Sequence, residues 1–314
     1  VPVVTQLLSS KTTMDVLQAI DFLTVVSSFG LEAVADGAAR VLTLIWSKEE
    51  SIRNAVLDAY RTLYFAPGDK SFGASATVAR NLMELTRDAS VAQLTSLEEM
   101  VRYMRHDGSL PPQVDNVLWE LFSGHVEGVG PEQSLAALQI LCMVGKADPV
   151  AIACKLDLLV KHGLGEQARA TPILARWTCE ALQALAAVDS TAKVPSGHPL
   201  LKQLERLVVA TPDFDETVNG QWYPAAEQAI GALFALAAAP EIEVELLIRV
   251  LAHAVFSTEG REVSSEKLAR LFFVVGHVAL KMLVYMEEEH RTYAKAAAAA
   301  TVASSGAGAA APSH

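Results

Sequence analysis

Apolar residues recur every three or four positions along most of the chain, which is the spacing of one face of an α-helix. Val16, Ala19 and Ile20 begin one such face, and Val91 and Leu94 begin another. Polar and helix-breaking residues separate these stretches. No run of alternating β-branched residues occurs that would predict a strand. The pattern therefore predicts an all-α protein.

The helical stretches come in pairs, and the pairs start at similar intervals. Asp15, Glu49, Ser90 and Glu132 mark successive starts, 34, 41 and 42 residues apart. HEAT and armadillo repeats have periods of about 40–47 residues, and each repeat buries its apolar face only against its neighbours. We expect about twelve helices, stacked as roughly six antiparallel pairs, in an elongated HEAT-repeat α-solenoid over residues 1–293. A single globular helical bundle is the alternative, although it needs no fixed interval.

Two local features mark one predicted helix. Ser47 precedes Glu50 by three residues, the capping-box spacing, and therefore predicts a helix start. Arg53 follows in that helix, where we expect it to pair with acidic side chains of an adjacent repeat and to be structural.

The last residues differ in composition from the rest. Residues 294–314 are rich in Ala, Ser and Gly. Polyalanine can prolong a helix, but Ser304, Gly306 and Pro312 favour a low-complexity tail or linker. Upstream, the most apolar window, 271–286, is short and contains His277 and Lys281, so no membrane span is predicted.

The net charge of the chain indicates which kinds of partner it can bind. The chain has 25 Lys and Arg against 36 Asp and Glu, a net charge of −11. This balance disfavours a simple nucleic-acid coat, because phosphate binding needs a locally basic surface. The block 129–196 escapes the acidic excess. It holds the candidate DNA or partner contacts, for which ordinary solvated charges are the alternative: Lys146, Lys155, Lys161, Arg169 and Arg176.

Motifs for catalysis are not found. The sequence has no GxxxxGK[ST], GxSxG or HExxH pattern. Its three cysteines lie in apolar runs without metal-site spacing, which predicts buried thiols in a reducing compartment. The acidic stretch of Asp213, Asp215 and Glu216 is expected to be solvated. We therefore predict no catalytic residue, no metal site and no cofactor.

Several stretches, in order along the chain, resemble condensin complex subunit 1, the HEAT-repeat regulatory subunit of condensin I. The resemblance reaches to about residue 290 and corresponds to the middle portion of that longer subunit. The stretches that carry it include residues 11–22, 44–49, 55–64, 116–120, 222–224 and 276–281.

This resemblance implies a non-enzymatic scaffold. Such subunits bind the kleisin chain, contact the SMC ATPase heads and help to hold DNA, so that ATP hydrolysis elsewhere compacts mitotic chromosomes. It also implies a nuclear and chromosomal location with a cytoplasmic pool outside mitosis, and no membrane or small-molecule substrate. Two other classes remain: another HEAT or armadillo adaptor (a transport receptor or phosphatase scaffold), and a helical enzyme with a closed polar pocket.

Overall fold

The protein is all-helical in the residues that the computed structural model describes, which are 2–29, 35–65, 72–124, 126, 128–165, 170–187, 193–209, 216–257 and 264–307. Within these ranges there are fifteen α-helices and no strand. The one β contact there is an isolated bridge between Val194 and Ala237. The predicted all-α class is confirmed.

The helices are α1 Pro2–Leu7, α2 Thr13–Ser28, α3 Ala35–Thr43, α4 Glu50–Tyr64, α5 Phe72–Glu84, α6 Val91–His106, α7 Gln113–Phe122, α8 Pro131–Ala147, α9 Pro149–Ala153, α10 Leu156–Gly163, α11 Pro172–Ala184, α12 Pro199–Val209, α13 Glu216–Leu236, α14 Pro240–Phe256 and α15 Ser265–Ala307. Short 3₁₀ turns follow α3 and α11, at Leu44–Trp46 and Leu185–Ala187. The expected count of twelve is too low, because α1, α9 and α10 are short helices of five to eight residues.

The helices form two compact units, and the boundary between them falls within α11. Unit 1 comprises residues 1–168 and 180–190, and unit 2 comprises residues 169–179 and 191–314. The division at residue 293 predicted from composition stays a prediction, as does the elongated shape.

Packing in unit 1 follows the order of the chain. Helix α2 packs on α4, α6 packs on α8, and α5 contacts both α7 and α8. Apolar positions predicted from periodicity are buried at these contacts, including Val16, Ala19 and Ile20. Each helix thus covers its neighbours' apolar faces, as expected for stacked helix pairs.

The start of α4 differs from its prediction. Glu49, not Ser47, is the N-cap residue, and it makes no side-chain cap. The preceding 3₁₀ turn shifts the helix start, so that the Ser47 hydroxyl accepts from the Glu49 N–H instead. Arg53 donates to the carbonyl oxygens of Ser47 at 2.8 Å and Lys48 at 3.1 Å. Both bonds come from the Nη1 atom of Arg53, so its expected pairing with acidic side chains of an adjacent repeat stays a prediction.

Unit 2 is held together by aromatic contacts between α13 and α15. The rings of Trp222 and Tyr223 meet the Phe273 ring edge-on, with centroids 6.2 and 5.0 Å away. The Arg270 guanidinium lies 5.1 Å from the Trp222 ring centroid. These contacts, together with the packing of α14 on α15, fix α15 against the unit.

Two carboxyl groups on α12 and α14 form a second contact in unit 2. Glu243 is 3% exposed and accepts a hydrogen bond from the Ser196 hydroxyl. Burial, followed by the hydrogen bond and the charge of Glu243, raises the pKa of Glu205 to about 7. Glu205 therefore holds its proton to higher pH than an ordinary glutamate does.

Helix α15 reaches Ala307 and therefore includes the first part of the predicted tail. Within the described part, one helical stretch (265–298) is long and apolar enough to cross a membrane by length and composition alone. Its buried side, which includes Leu271, Val274 and Val278, belongs to a helix that contacts α13 and α14. The prediction of no membrane span stays a prediction.

Candidate partner-binding groove

A groove in unit 1 runs between α5, α7 and α8. It has two adjoining compartments, with volumes of about 400 and 380 Å³. Arg80, Met83 and Gln133 border both of them. The larger, which we call the charged compartment, is further lined by polar residues that include Glu84, Arg87, Asp88 and Glu132. The smaller, the apolar compartment, is lined mainly by Ala76, Val117, Leu121, Val126 and Val129.

The turn between α7 and α8 shapes the apolar compartment. Gly124 and Gly128 have φ angles of 70° and 83°, which are left-handed conformations that favour glycine. The Ser134 hydroxyl, in the first turn of α8, donates to the carbonyl oxygen of Phe122 at 2.9 Å. This turn places Val126 and Val129 in the compartment wall, and Val126 remains 40% exposed.

The start of α8 is fixed by a cap. Pro131 is the first helical residue, a position where its missing N–H costs nothing. The side-chain oxygen of Gln133 accepts from the N–H of Gly130 at 3.2 Å. Gln133 therefore borders the groove from a constrained position.

The groove carries unbalanced charge. Arg87 pairs with Glu84 at 3.0 Å, and both side chains are well exposed. Asp88, Glu120 and Glu132 line the groove at exposed positions, and no ion pair of theirs occurs within the described residues. Arg80, also exposed, is the one other charged lining residue. Three carboxylates against one guanidinium leave the groove with a net negative charge.

A buried ion cluster fixes the helices behind the groove. Arg105 of α6 binds Asp115 of α7 at 2.7 Å and Asp148, the residue between α8 and α9, at 2.9 Å. The side chains of Arg105 and Asp115 are 10% and 9% exposed. Burial raises the pKa of Asp115, and the Arg105 charge opposes that rise. The cluster ties α6, α7 and α8 together, so it supports two of the helices that line the groove.

Lys146, the first of the basic residues predicted as contacts, is engaged inside unit 1. Its Nζ lies 2.7 Å from Glu98 and 2.6 Å from Glu180. Burial opposes its charge, but the hydrogen bonds to Glu180 and Glu98 raise the Lys146 pKa overall. Two carboxylates thus take two of its three N–H donors and offset its charge.

The other predicted contacts are not brought together on one described surface. Lys155 and Lys161 are exposed, at the N-cap and in the last turn of α10. Six residues correspond to about 240° of helix rotation, so the two ammonium groups do not share a face. Arg176 is half-buried in unit 2, where its guanidinium lies 5.3 Å from the Trp177 ring centroid. Arg169 lies outside the described residues. Contact of this set with DNA or a partner stays a prediction.

The groove itself was not predicted from the sequence. Its lining comes from α5, α7 and α8, so no local motif contains it. The available signal was the pair of glycines at 124 and 128, which indicates a tight turn beside exposed valines.

The stacked helix pairs define the class of this chain, an all-α helical-repeat protein. The chain is similar over most of its length to a middle portion of condensin complex subunit 1, which confirms the resemblance noted above. It is 31% identical to that subunit of Schizosaccharomyces pombe over 322 residues, covering 91% of this chain and 27% of that protein. It is 30% identical to human condensin complex subunit 1 over 308 residues, covering 91% and 22%. The condensin-1 complex subunit CAP-D2 of Arabidopsis thaliana is 27% identical over 309 residues, covering 91% and 21%.

The chain thus spans about a quarter of the length of these relatives. No family model matches it. Two engineered proteins of known structure align with TM-scores of 0.33 and 0.30 at 15% and 16% identity, covering 88% of this chain. That likeness is too low to support an inference.

Proposed function

We propose that this chain is part of a non-catalytic scaffold subunit of a condensin complex, which binds the kleisin and SMC ATPase subunits during mitotic chromosome condensation. The observation that carries the proposal is the similarity to condensin complex subunit 1 over 91% of the chain. The location that follows is the nucleus and the chromosomes, with a cytoplasmic pool outside mitosis.

The physical features of the chain suit a binding role. Stacked helix pairs offer long surfaces for extended partners. Asp88, Glu120 and Glu132 on the groove lining make no ion pair within the described residues, whereas the clusters around Arg105 and Lys146 hold helices together. The net charge of −11 favours protein partners over a direct DNA track in this part of the subunit.

The test is to tag the protein at its own locus and purify it from mitotic cells. Quantitative mass spectrometry should find two SMC ATPases and one kleisin subunit in near-equal amounts with it. Rapid depletion before mitosis should leave chromosomes poorly compacted. Stoichiometric recovery of transport cargo or of a phosphatase catalytic subunit, with normal chromosomes, would instead support the adaptor alternative.

DNA contact is proposed to arise through the assembled complex. The variant Lys155→Glu/Lys161→Glu should leave the affinity of the purified complex for duplex DNA unchanged. Its slope of log affinity against log salt should also match that of the control Lys48→Glu/Lys267→Glu, which reverses two other exposed lysines. A slope reduced by about 0.9 per lost contact would show that the α10 lysines bind phosphate directly.

A further inference from the structure

We propose that the groove of unit 1 docks an extended peptide segment of a partner protein, one that carries a large aliphatic side chain next to Lys or Arg residues. The proposal deepens the scaffold function above and rests on it. It names the chemistry of the ligand, which the similarity to known proteins does not supply.

The apolar compartment accounts for the aliphatic side chain. Its volume of about 380 Å³ lies within the range of ligand pockets. Met83, Val117 and Leu121 form apolar walls, and exposed Val126 stands at its edge. Met83 and Val117 are already buried, so covering this compartment removes apolar surface from water mainly at the partly exposed Leu121 and Val126.

The charged compartment accounts for the basic residues. Asp88 and Glu132 are exposed carboxylates on its lining, Glu120 adds a third from the adjoining apolar compartment, and Arg87 is already paired with Glu84. The remaining Arg80 leaves an excess of negative charge. A cationic segment therefore meets complementary charge, whereas an acidic segment or a nucleic-acid phosphate is repelled.

The arrangement of the compartments accounts for an extended peptide. They adjoin through the shared residues Arg80, Met83 and Gln133, so an apolar site lies directly beside a charged one. An extended chain presents alternate side chains along such a path, with pockets that select them. A lone small molecule would fill one compartment and leave the other open.

The experiment selects ligands without assuming a partner. A phage library of random 12-residue peptides is panned against the purified full-length protein, and enriched peptides are measured by fluorescence anisotropy. We expect enriched sequences to combine Leu, Ile or Met with nearby Lys or Arg. Their affinity should fall with added salt, since exposed charges are screened beyond about 10 Å at 0.1 M ionic strength.

Exposed substitutions locate the binding. Glu120→Lys/Glu132→Lys should weaken the enriched peptides by about tenfold or more at low salt, and less at high salt. Val126→Lys should weaken them at both salt concentrations, whereas Val126→Ile should bind as the unaltered protein does. The matched control is Glu288→Lys/Glu289→Lys on α15, which reverses two exposed acids that do not line the groove. Circular dichroism checks that every variant is folded.

Several results would overturn the proposal: failure to enrich peptides, enrichment of acidic sequences, or equal binding to the groove and control variants. Each is independent of co-purification with condensin subunits. Recovery of the SMC and kleisin chains together with a failed selection would remove only the groove assignment. Recovery of other partners would remove the condensin function.

Discussion

The crossing of α8 and α9 leaves no room for a side chain at Gly145. A Cβ atom built there would lie 2.4 Å from Cγ1 of Ile152 and 3.1 Å from its Cδ1. Both residues are buried. Because isoleucine has one strongly preferred χ1 rotamer in a helix, Cγ1 cannot swing away cheaply. Gly145→Ala therefore forces the two helices apart by about 1 Å to reach ordinary contact.

The expected effect is the difference of two terms. Overpacking of this kind costs about 1–3 kcal/mol. Alanine in place of glycine inside a helix raises the free energy of unfolding by about 0.5–1 kcal/mol, because alanine has the higher helix propensity. Gly145→Ala should thus lower the free energy of unfolding by up to about 2.5 kcal/mol. Gly276→Ala on α15 is the matched control, because a Cβ there meets nothing within 4 Å and the propensity gain should stand alone.

Hydrogen exchange followed by mass spectrometry is the suitable assay, since two units need not unfold in one transition. Amides of α8 and α9 should exchange faster in Gly145→Ala, and amides around Gly276 should exchange more slowly in Gly276→Ala. Adding Ile152→Ala removes the clashing atoms, so the double variant should be more stable than the sum of the single effects. Slower exchange in α8 and α9 of Gly145→Ala would refute the steric argument.

Two further predictions concern buried charge. Arg105→Leu leaves Asp115 buried without its partner and should lower the free energy of unfolding in urea by about 3 kcal/mol. Arg87→Leu, in the exposed pair with Glu84, should lower it by at most about 1 kcal/mol. Equal losses in the two variants would contradict the role of burial. Folding raises the pKa of Glu205 from 4.5 to about 7, so between these pH values the folded protein keeps a proton that the unfolded chain releases. The stability that comes with the protonated Glu205 is therefore full below pH 4.5 and is lost as the pH rises through 7. Above pH 7, Glu205→Gln should therefore be more stable than the unaltered protein by about 1 kcal/mol, a value discounted for the partial exposure of Glu205. At pH 4.5 the two proteins should be nearly equal in stability. A difference that stays constant between these pH values would show that Glu205 does not titrate in this range.

Helix positions were predictable because burial imposes a period on the sequence. In α4, the spacing of Ile52, Val56 and Tyr60 predicts one inward face, and all three are buried. Helix ends were less predictable, because the same short pattern has two outcomes. Ser90 and Gln93 form a capping box at the start of α6, whereas Ser47 does not cap α4.

Short helices and the groove escaped prediction for a different reason. Helix α9 has five residues, too few for an amphipathic period to show, and Pro149 marks only its start. The groove depends on which surfaces of α5, α7 and α8 are left uncovered. That is decided by packing between positions up to about sixty residues apart, such as Ala76 and Gln133. Periodicity reports which face of a helix is buried but does not name the helix that covers it.

The sequence likewise does not show which charged side chains pair with one another. A count of basic residues along the chain treats Lys146 as available, yet Glu98 and Glu180, 48 residues before it and 34 after it, neutralise it. In a helical array, acids of other helices, inside or outside the block, can pair with a cation, so the net charge of a block does not show how much of its basic surface is free. In the groove, Arg87 and Glu84 pair with each other, so the carboxylates of Asp88, Glu120 and Glu132 remain in excess over Arg80. The electrostatic character of this surface is therefore set by which charges remain unpaired after the helices pack, and here they favour a cationic ligand.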